Sequence, residues 1–257
     1  MRVRIDKLLV DRGLVSSRER AQRLIWAGAV LVSGQRVSKA GTLVNANAPI
    51  EVKEEDIPFV SRGGLKLASA LDRFCVSVQN RVCLDVGAST GGFTDCLLQR
   101  GAAHVYAIDV GYGQFAWRLR QHPKVTLFER TNFRFFSPPS WPSPPDLATV
   151  DVSFISLKLL LPNLLRCVKA GGDVLALVKP QFEVGRGNVG SGGVVRDPTL
   201  REQAVLSVAQ TARELGFNVL GQCPSPILGP KGNQEIFLHL RCPGTPPPCE
   251  EPTTPGR

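Results

Sequence analysis

The sequence has no CxxC pair, and its three histidines, His104, His122 and His239, stand far apart. No metal site is expected on that basis. Seven cysteines are scattered without pairing pattern, an odd number that fits thiols kept reduced in a cytosol. Cys83 and Cys96 sit in apolar stretches and are expected as core thiols. No apolar run approaches the roughly 20 residues that cross a bilayer. The opening MRVRIDKLLVDRG lacks the uninterrupted apolar segment of a secretory signal. A cytoplasmic protein without membrane association is expected. A GxxxxGK[ST] phosphate loop is absent.

What is present is charge and core-forming material. The chain has 257 residues, 43% of them hydrophobic, with a formal net charge of +9 and a pI near 9.5. That length suits one or two domains. The basic balance favours an anionic partner, nucleic acid first and a membrane surface second.

Residues 1–58 read as a small α+β unit. Ile5, Leu8, Leu9 and Leu14 fit a short helix that turns at Gly13. Ser16 followed by Glu19 has capping-box spacing, and Ala21, Leu24, Ile25 and Ala27 give a second helix its buried stripe, with a stop at Gly28. Short β runs follow at 29–32, 35–37 and 49–52. Arg2, Arg4, Lys7, Arg18, Arg20 and Arg23 belong to a basic surface with few acidic neighbours, which suits RNA phosphates.

Residues 53–62 read as a linker with a charge run and a proline. From about 63 to 242, strands and helices alternate, the pattern of a parallel sheet with helices on both faces. Strands are expected at 82–86, 104–109, 125–128, 147–152, 174–178, 219–223 and 235–240. Helices are expected at 65–74, 92–100, 114–121, 157–168 and 198–215. The last of these starts cleanly, with Asp197 as N-cap and Pro198 at the first position. The Pro- and Gly-rich stretch 224–233 suits a hairpin and hence an antiparallel last strand. Gly187–Gly193 is expected as a mobile loop near the site. The tail CPGTPPPCEEPTTPGR is expected to be disordered.

Two features of this larger unit carry chemistry. Leu84-Asp85-Val86-Gly87-Ala88-Ser89-Thr90-Gly91-Gly92-Phe93 follows the unit's first strand and opens a helix, and Asp109 ends the next strand. Small residues let a ligand approach the backbone, and an acidic group at that strand end suits ribose hydroxyls. A dinucleotide loop needs GxGxxG, but counting from Gly87 the second glycine is Ser89. The form Asp-x-Gly-x-x-x-Gly-Gly fits a methyltransferase better, with S-adenosylmethionine as cofactor and Asp85 near its amino and sulfonium end. Secondly, Lys66, Asp151, Lys179 and Glu235 are lone charges at strand edges or helix starts within apolar runs. Burying any of them alone costs several kcal/mol, so they are expected to converge at one end of the sheet. Such a set suits activation of a sugar hydroxyl. Thr131 and Asn132 are read as either approaching the adenine or capping a loop. Gln181 and Phe182 are expected to gate the site, and Arg130 and Arg134 to serve RNA. Trp26 and Trp117 are expected in or near the core. The role of Glu183 is left open.

The segments RIDKLLVDRGLVSSRERAQRLIWAGAVLV, VSRGGLKL, DVGASTGGFTDCLL, ERTNFR, VDVSFISL, LVKPQFEVG and GPKGNQE resemble those of the TlyA family, also called hemolysin A, over roughly residues 1–242. The resemblance implies S-adenosylmethionine-dependent ribose 2′-O-methylation of ribosomal RNA, with a cytidine the expected target. It implies a ribosomal-protein-S-four-like RNA-binding domain at 1–58, a linker at 59–64 and an FtsJ-like domain at 65–242. The latter is a Rossmann-like α/β class I methyltransferase domain: seven strands, mostly parallel, the last antiparallel. A Pro-rich tail, 243–257, lies outside the pattern. The resemblance implies Lys66, Asp151, Lys179 and Glu235 as the catalytic tetrad. The cofactor site would lie at Asp85, Gly87, Ala88, Ser89, Thr90, Gly91, Gly92, Phe93 and Asp109. Ribosomal subunits are the implied partner, and a monomer is favoured. Phe59 stands in the linker where an aromatic, often Trp, is expected. Two other functions compete with this reading: an RNA-binding assembly factor with an inactive methyltransferase fold, and a lytic membrane protein. The intact charged set argues against the first, and the absence of a membrane-seeking helix or secretion signal against the second. Base methylation is disfavoured because Asp151-Val-Ser-Phe stands where an Asn/Asp-Pro-Pro-Tyr segment would be needed.

Overall fold

A computed structural model describes residues 2–15, 17–26, 28–52, 58–138 and 141–244. The chain divides into two compact units, Met1–Gly64 and Leu65–Arg257. In the first, β1 (Arg2–Arg4) leads into α1 (Ile5–Asp11), then α2 (Arg18–Trp26), β2 (Val30–Val32), β3 (Gln35–Arg36), β4 (Leu43–Asn45) and β5 (Ile50–Val52). Ile5, Leu8, Leu9, Ala21, Ile25 and Val30 interlock as its core. Each large apolar side chain fully buried there contributes about 1.5–3 kcal/mol. Ser16 lies outside the described residues. The side chain of Ser17 accepts from Arg20 N at 3.1 Å, so the helix cap sits one residue later than the capping-box spacing implies. β1 and β4 pair antiparallel and escaped the sequence reading, because three-residue strands show no alternation.

The second unit runs from α3 (Gly63–Arg73), which crosses the division, through β6 (Val82–Val86), α4 (Gly92–Gln99), β7 (His104–Ile108), α5 (Trp117–Arg120), β8 (Val125–Phe128), β9 (Leu147–Val150), α6 (Leu161–Cys167), β10 (Asp173–Val178), α7 (Pro180–Glu183) and α8 (Pro198–Glu214) to β11 (Asn218–Pro224) and β12 (Ile236–Arg241). The seven strands lie in the order β11-β12-β10-β9-β6-β7-β8. Only β12, the last, runs against its neighbours β10 and β11, as the hairpin reading of 224–233 anticipates. β6 and β10 are buried along their whole length, as expected for parallel strands covered on both faces. The strand order reverses between β6 and β9, and α/β sheets bind ligands at the carboxyl ends flanking such a switch.

Two helices differ from the sequence reading. The helix expected at 114–121 is the four-residue α5, because Gln114 and Gly113 are drawn away: Gln114 Nε2 bonds Asp109 at 3.0 Å and Gly113 N bonds Glu129 at 2.7 Å. The helix expected at 157–168 is a 3-10 turn, Leu157–Leu159, followed by α6. Pro162 in the first turn of α6 has no N–H with which to continue an earlier helix. Trp26 and Trp117 are each 63% exposed, contrary to the core placement expected from their spacing. The residues 53–57 of the linker, Cys249 and residues 245–257 of the tail lie outside the described residues. Cys83 and Cys96 are buried free thiols, and burial pushes both up to about 12. Among the described residues, no cluster of His, Cys, Asp and Glu could hold a metal ion. No helix among them is long and apolar enough to cross a membrane.

Candidate active site

Three of the four lone charges stand at one edge of the sheet because the ladder puts them there. The last β10–β12 pair is Val178 with Ile236, so the next step faces Lys179 with Glu235 on one side of the sheet. Asp151 follows β9, the neighbour of β10, and its N–H bonds Val86 O at the end of β6 at 2.9 Å. Lys66 comes from the first turn of α3.

The charges resolve into two ion pairs. Lys66 Nζ meets Glu235 Oε2 at 2.5 Å, and Lys179 Nζ meets Asp151 Oδ1 at 2.6 Å. Glu235 is 0% exposed and both lysines are buried. Lys179 Nζ also bonds Ser153 Oγ at 3.0 Å. Asp151 Oδ1 takes the close ion contact without hydrogen-bond alignment, and Glu235 Oε1 is buried without a partner among the described residues. An ammonium has three donors, so Lys179 keeps donor capacity for an incoming oxygen. Ser153, two residues after Asp151 in the loop that follows β9, was not singled out from the sequence.

Glycines make the close approaches possible. A Cβ on Gly87 would collide with the Asp151 carbonyl, and Gly87 has φ +85°. A Cβ on Gly229 would collide with the Glu235 carboxylate, yet Gly229 has an ordinary φ of −69°. Gly229→Ala therefore acts by steric displacement of Glu235 alone. It is expected to lower turnover at least tenfold, with a fall in melting temperature no larger than that of a variant lacking Lys66; unaltered turnover would show that the carboxylate position is unimportant.

The cofactor-loop residues separate into an open side and a buried side. Ser89 is exposed, with φ +50°, and its N–H bonds Asp109 Oδ2 at 2.7 Å. Asp109 also accepts from Gly111 N at 2.6 Å, so the carboxylate is fixed at the end of β7. Thr90 is half-buried, and Gly91, at φ +95°, opens α4. Ala88 and Gly92 are buried. Phe93 stacks on Phe237 in the core, with ring centroids 6.1 Å apart, and does not reach the open side of the loop. Asp85 is fully buried, bonded by Thr94 Oγ1 at 2.6 Å, and burial raises its carboxyl to about 7. It offers no exposed carboxylate to an amino or sulfonium group, contrary to the sequence expectation. A small-residue backbone loop beside a fixed carboxylate still fits a nucleoside-type cofactor.

Asp85 has a consequence for stability. Its carboxyl rises from 3.8 to about 7 on folding. About three pH units at 1.36 kcal/mol each make its ionisation within the fold costly by on the order of 4 kcal/mol. A raised acid is protonated in the fold while the unfolded chain has already lost the proton, so its contribution is whole below pH 4 and is lost as pH rises towards 7. Asp85→Asn is expected to flatten the fall in melting temperature between pH 5 and pH 8. Parallel profiles for variant and wild type would refute this.

A cavity of about 500 Å³ adjoins the ion pairs in sequence, lined by Phe154, Ile155, Ser156, Gln181, Phe182 and Val189 among others. Phe154 is 91% exposed at φ +66°, and its ring lies 5.2 Å from that of Phe182. Glu183 braces the two segments, accepting from Ser156 Oγ at 2.6 Å and from Leu157 N at 2.8 Å. Asn132 caps the turn at Phe133–Phe135, the second of the two roles read for Thr131 and Asn132. The loop at 187–193 is tied at its end by Asn233, which accepts from Val195 N and donates to Gly193 O.

The basic residues of the first unit are less free than the charge count suggests. Asp6 is fully buried, bonds Arg4 through two 3.0 Å contacts and Arg18 at 2.9 Å, and is held well below the usual carboxylate range, chiefly by Arg4. Arg12 donates to the Ala46 and Ala48 carbonyls. Arg2 and Lys7 are exposed, Arg20 is half-buried, and Arg23 lies on α2.

Comparison with known proteins agrees with this architecture. Residues 59–242 match the FtsJ-like methyltransferase family and residues 3–50 the S4 domain. The chain is 51% identical over 241 residues to the 16S/23S rRNA (cytidine-2′-O)-methyltransferase TlyA of Mycobacterium tuberculosis, covering 93% of this chain and 90% of that one. It is 39% identical over 239 residues to Hemolysin A of Brachyspira hyodysenteriae, covering 93% and 99%. A solved Streptococcus thermophilus structure, described as a hemolysin, aligns with TM-score 0.75 and 44% identity over 95% of this chain and 90% of that chain. The chain belongs to the TlyA family, and its larger unit is an FtsJ-like methyltransferase.

Proposed function

We propose that the protein methylates a ribose 2′-hydroxyl of ribosomal RNA, using S-adenosylmethionine, with a cytidine as the target. The two buried ion pairs at the carboxyl edge of the sheet, beside a glycine loop and a fixed Asp109, carry this reading. The relatives from Mycobacterium tuberculosis and Campylobacter jejuni are named as rRNA (cytidine-2′-O)-methyltransferases. The cofactor, when bound, supplies a methyl group on a sulfonium. Lys179 would direct the 2′-oxygen and stabilise charge developing on it while the oxygen–methyl bond forms, the sulfur–methyl bond breaks and the hydroxyl proton passes to water. Asp151 and Ser153 hold Lys179 in place, and Glu235 holds Lys66. Ser89 and Asp109 would orient the cofactor ribose, and the cavity by Phe154 and Phe182 would receive the target nucleotide. Alignment of the reacting atoms would supply much of the rate. Residues 1–58, with Arg2, Arg4, Lys7, Arg18, Arg20 and Arg23, would bind the RNA, placing the protein with ribosomal subunits in the cytoplasm.

The test is incubation with unmethylated ribosomal subunits and labelled methyl donor, followed by mapping of ribose methylation. Label at a 2′-oxygen is expected. Label confined to bases, or none, would refute the assignment.

A further inference from the structure

The rim beside Asp109 carries two exposed aromatic rings, each with its own arginine. Tyr112 is 67% exposed, and the Arg130 guanidinium lies 4.1 Å over its ring centroid. Phe135 is 74% exposed, with the Arg134 guanidinium 5.2 Å from its centroid. Neither arginine forms a direct ion pair among the described residues, although Arg130 lies in the field of Glu129; nearby Arg118 and Arg120 pair directly with Asp95 and Glu129.

The backbone under these rings is tied by hydrogen bonds. Arg130 is held at φ +53°, a conformation that non-glycine residues rarely adopt, by its N–H bond to Gly111 O at 3.0 Å. Asn163 is buried and donates to the Phe133 and Phe136 carbonyls at 2.6 and 2.9 Å, and the Phe133 ring is in the core. One short turn thus buries Phe133 and turns Phe135 outward. A single exposed ring is ordinary on a protein surface; two of them on neighbouring loops, each under a guanidinium, are not required by the core and present flat faces to solvent. The arginines are four residues apart, so their Cα atoms lie within about 14 Å of one another.

We propose that Tyr112–Arg130 and Arg134–Phe135 form a stacking platform for unpaired bases of the RNA near the methylated nucleotide. This rests on the RNA-methyltransferase reading above. Aromatic rings stack bases of any sequence, guanidinium planes stack them too, and unpaired arginines attract the phosphates. A protein partner with an acidic peptide would use the arginines but have no need of flat rings.

Full-length Tyr112→Ala and Phe135→Ala are compared with wild type in binding to unmethylated ribosomal subunits, to a single-stranded RNA fragment, and to S-adenosylmethionine by calorimetry. Each variant is expected to lose about 5- to 150-fold in single-strand affinity, with cofactor affinity unchanged and Tyr112→Phe restoring binding. Arg130→Gln is expected to lower the salt slope of RNA binding by about one. Unchanged RNA affinity in both alanine variants overturns the platform. So does an equal loss of cofactor affinity, which would assign the rings to the cofactor. Wild type that binds RNA but transfers no methyl would refute the enzymatic reading while the variant series still decided the platform; wild type that binds no RNA would refute both.

Discussion

Lys179→Ala is expected to reduce methyl transfer to ribosomal RNA by about 10²- to 10⁴-fold, the range for loss of one positioned group that acts on a proton or a developing charge. Lys179 is buried at the end of β10, with Asp151 at 2.6 Å and Ser153 at 3.0 Å. Lys66 does not stand in for it, because its ammonium is held on the Glu235 carboxylate at 2.5 Å and comes from α3, whereas Lys179 stands at the end of β10 beside Asp151. The loss should fall on kcat, with cofactor affinity and RNA affinity near wild type, since the group acts where charge develops and not where the ligands are gripped. Lys179→Arg keeps the charge but carries a planar fork in place of a compact ammonium, so it should recover little. Undiminished transfer in Lys179→Ala would falsify the mechanism.

The second large effect concerns Lys66 and Glu235. Removing one member of a buried pair strands the other charge, which costs about 3–5 kcal/mol. Glu235 is 0% exposed and its Oε1 already lacks a partner among the described residues, so Lys66→Ala leaves a carboxylate with no compensation. For a unit of this size the melting temperature should fall by on the order of 10 °C. Replacing both, as Lys66→Met with Glu235→Leu, removes the charges together and should restore most of that stability, since apolar residues of similar volume often replace a buried pair at no cost. Transfer should stay lost in the double variant. That separation would show that the pair is there for the reaction and not for the fold. A double variant that regained both stability and transfer would make the pair structural.

Much of this arrangement was legible in the residues. The buried strands β6 and β10 announce themselves as apolar runs, and a lone Lys or Asp at the end of such a run has few places to go but the sheet edge. Asp197 followed by Pro198 marks the start of α8 because capping chemistry is local, and the Asp197 side chain does accept from Thr199 N. The exposed Trp26 and Trp117 were misjudged because helical spacing reports periodicity but not which side of the helix is covered. Asp85 was misjudged because burial, which decides its protonation, depends on Thr94 and neighbouring strands that are distant or silent in the sequence. Ser153 and Gly229 lie in segments that carry the family resemblance, VDVSFISL and GPKGNQE, but their contacts with Lys179 and Glu235 depend on residues distant in the chain.

The sequence by itself determined the alternation of elements, the antiparallel last strand, the glycine loop and the identities of the charged residues, because these follow from local propensity, spacing and the cost of a lone buried charge. Only the tertiary structure decided which charge meets which. The β10–β12 register sets Lys179 across from Glu235, yet the ion pairs form with Asp151 and Lys66, because partner choice depends on distances between side chains of different strands and helices. The same holds for Asp6, which neutralises Arg4 and Arg18 where a count of charges along the chain left both free.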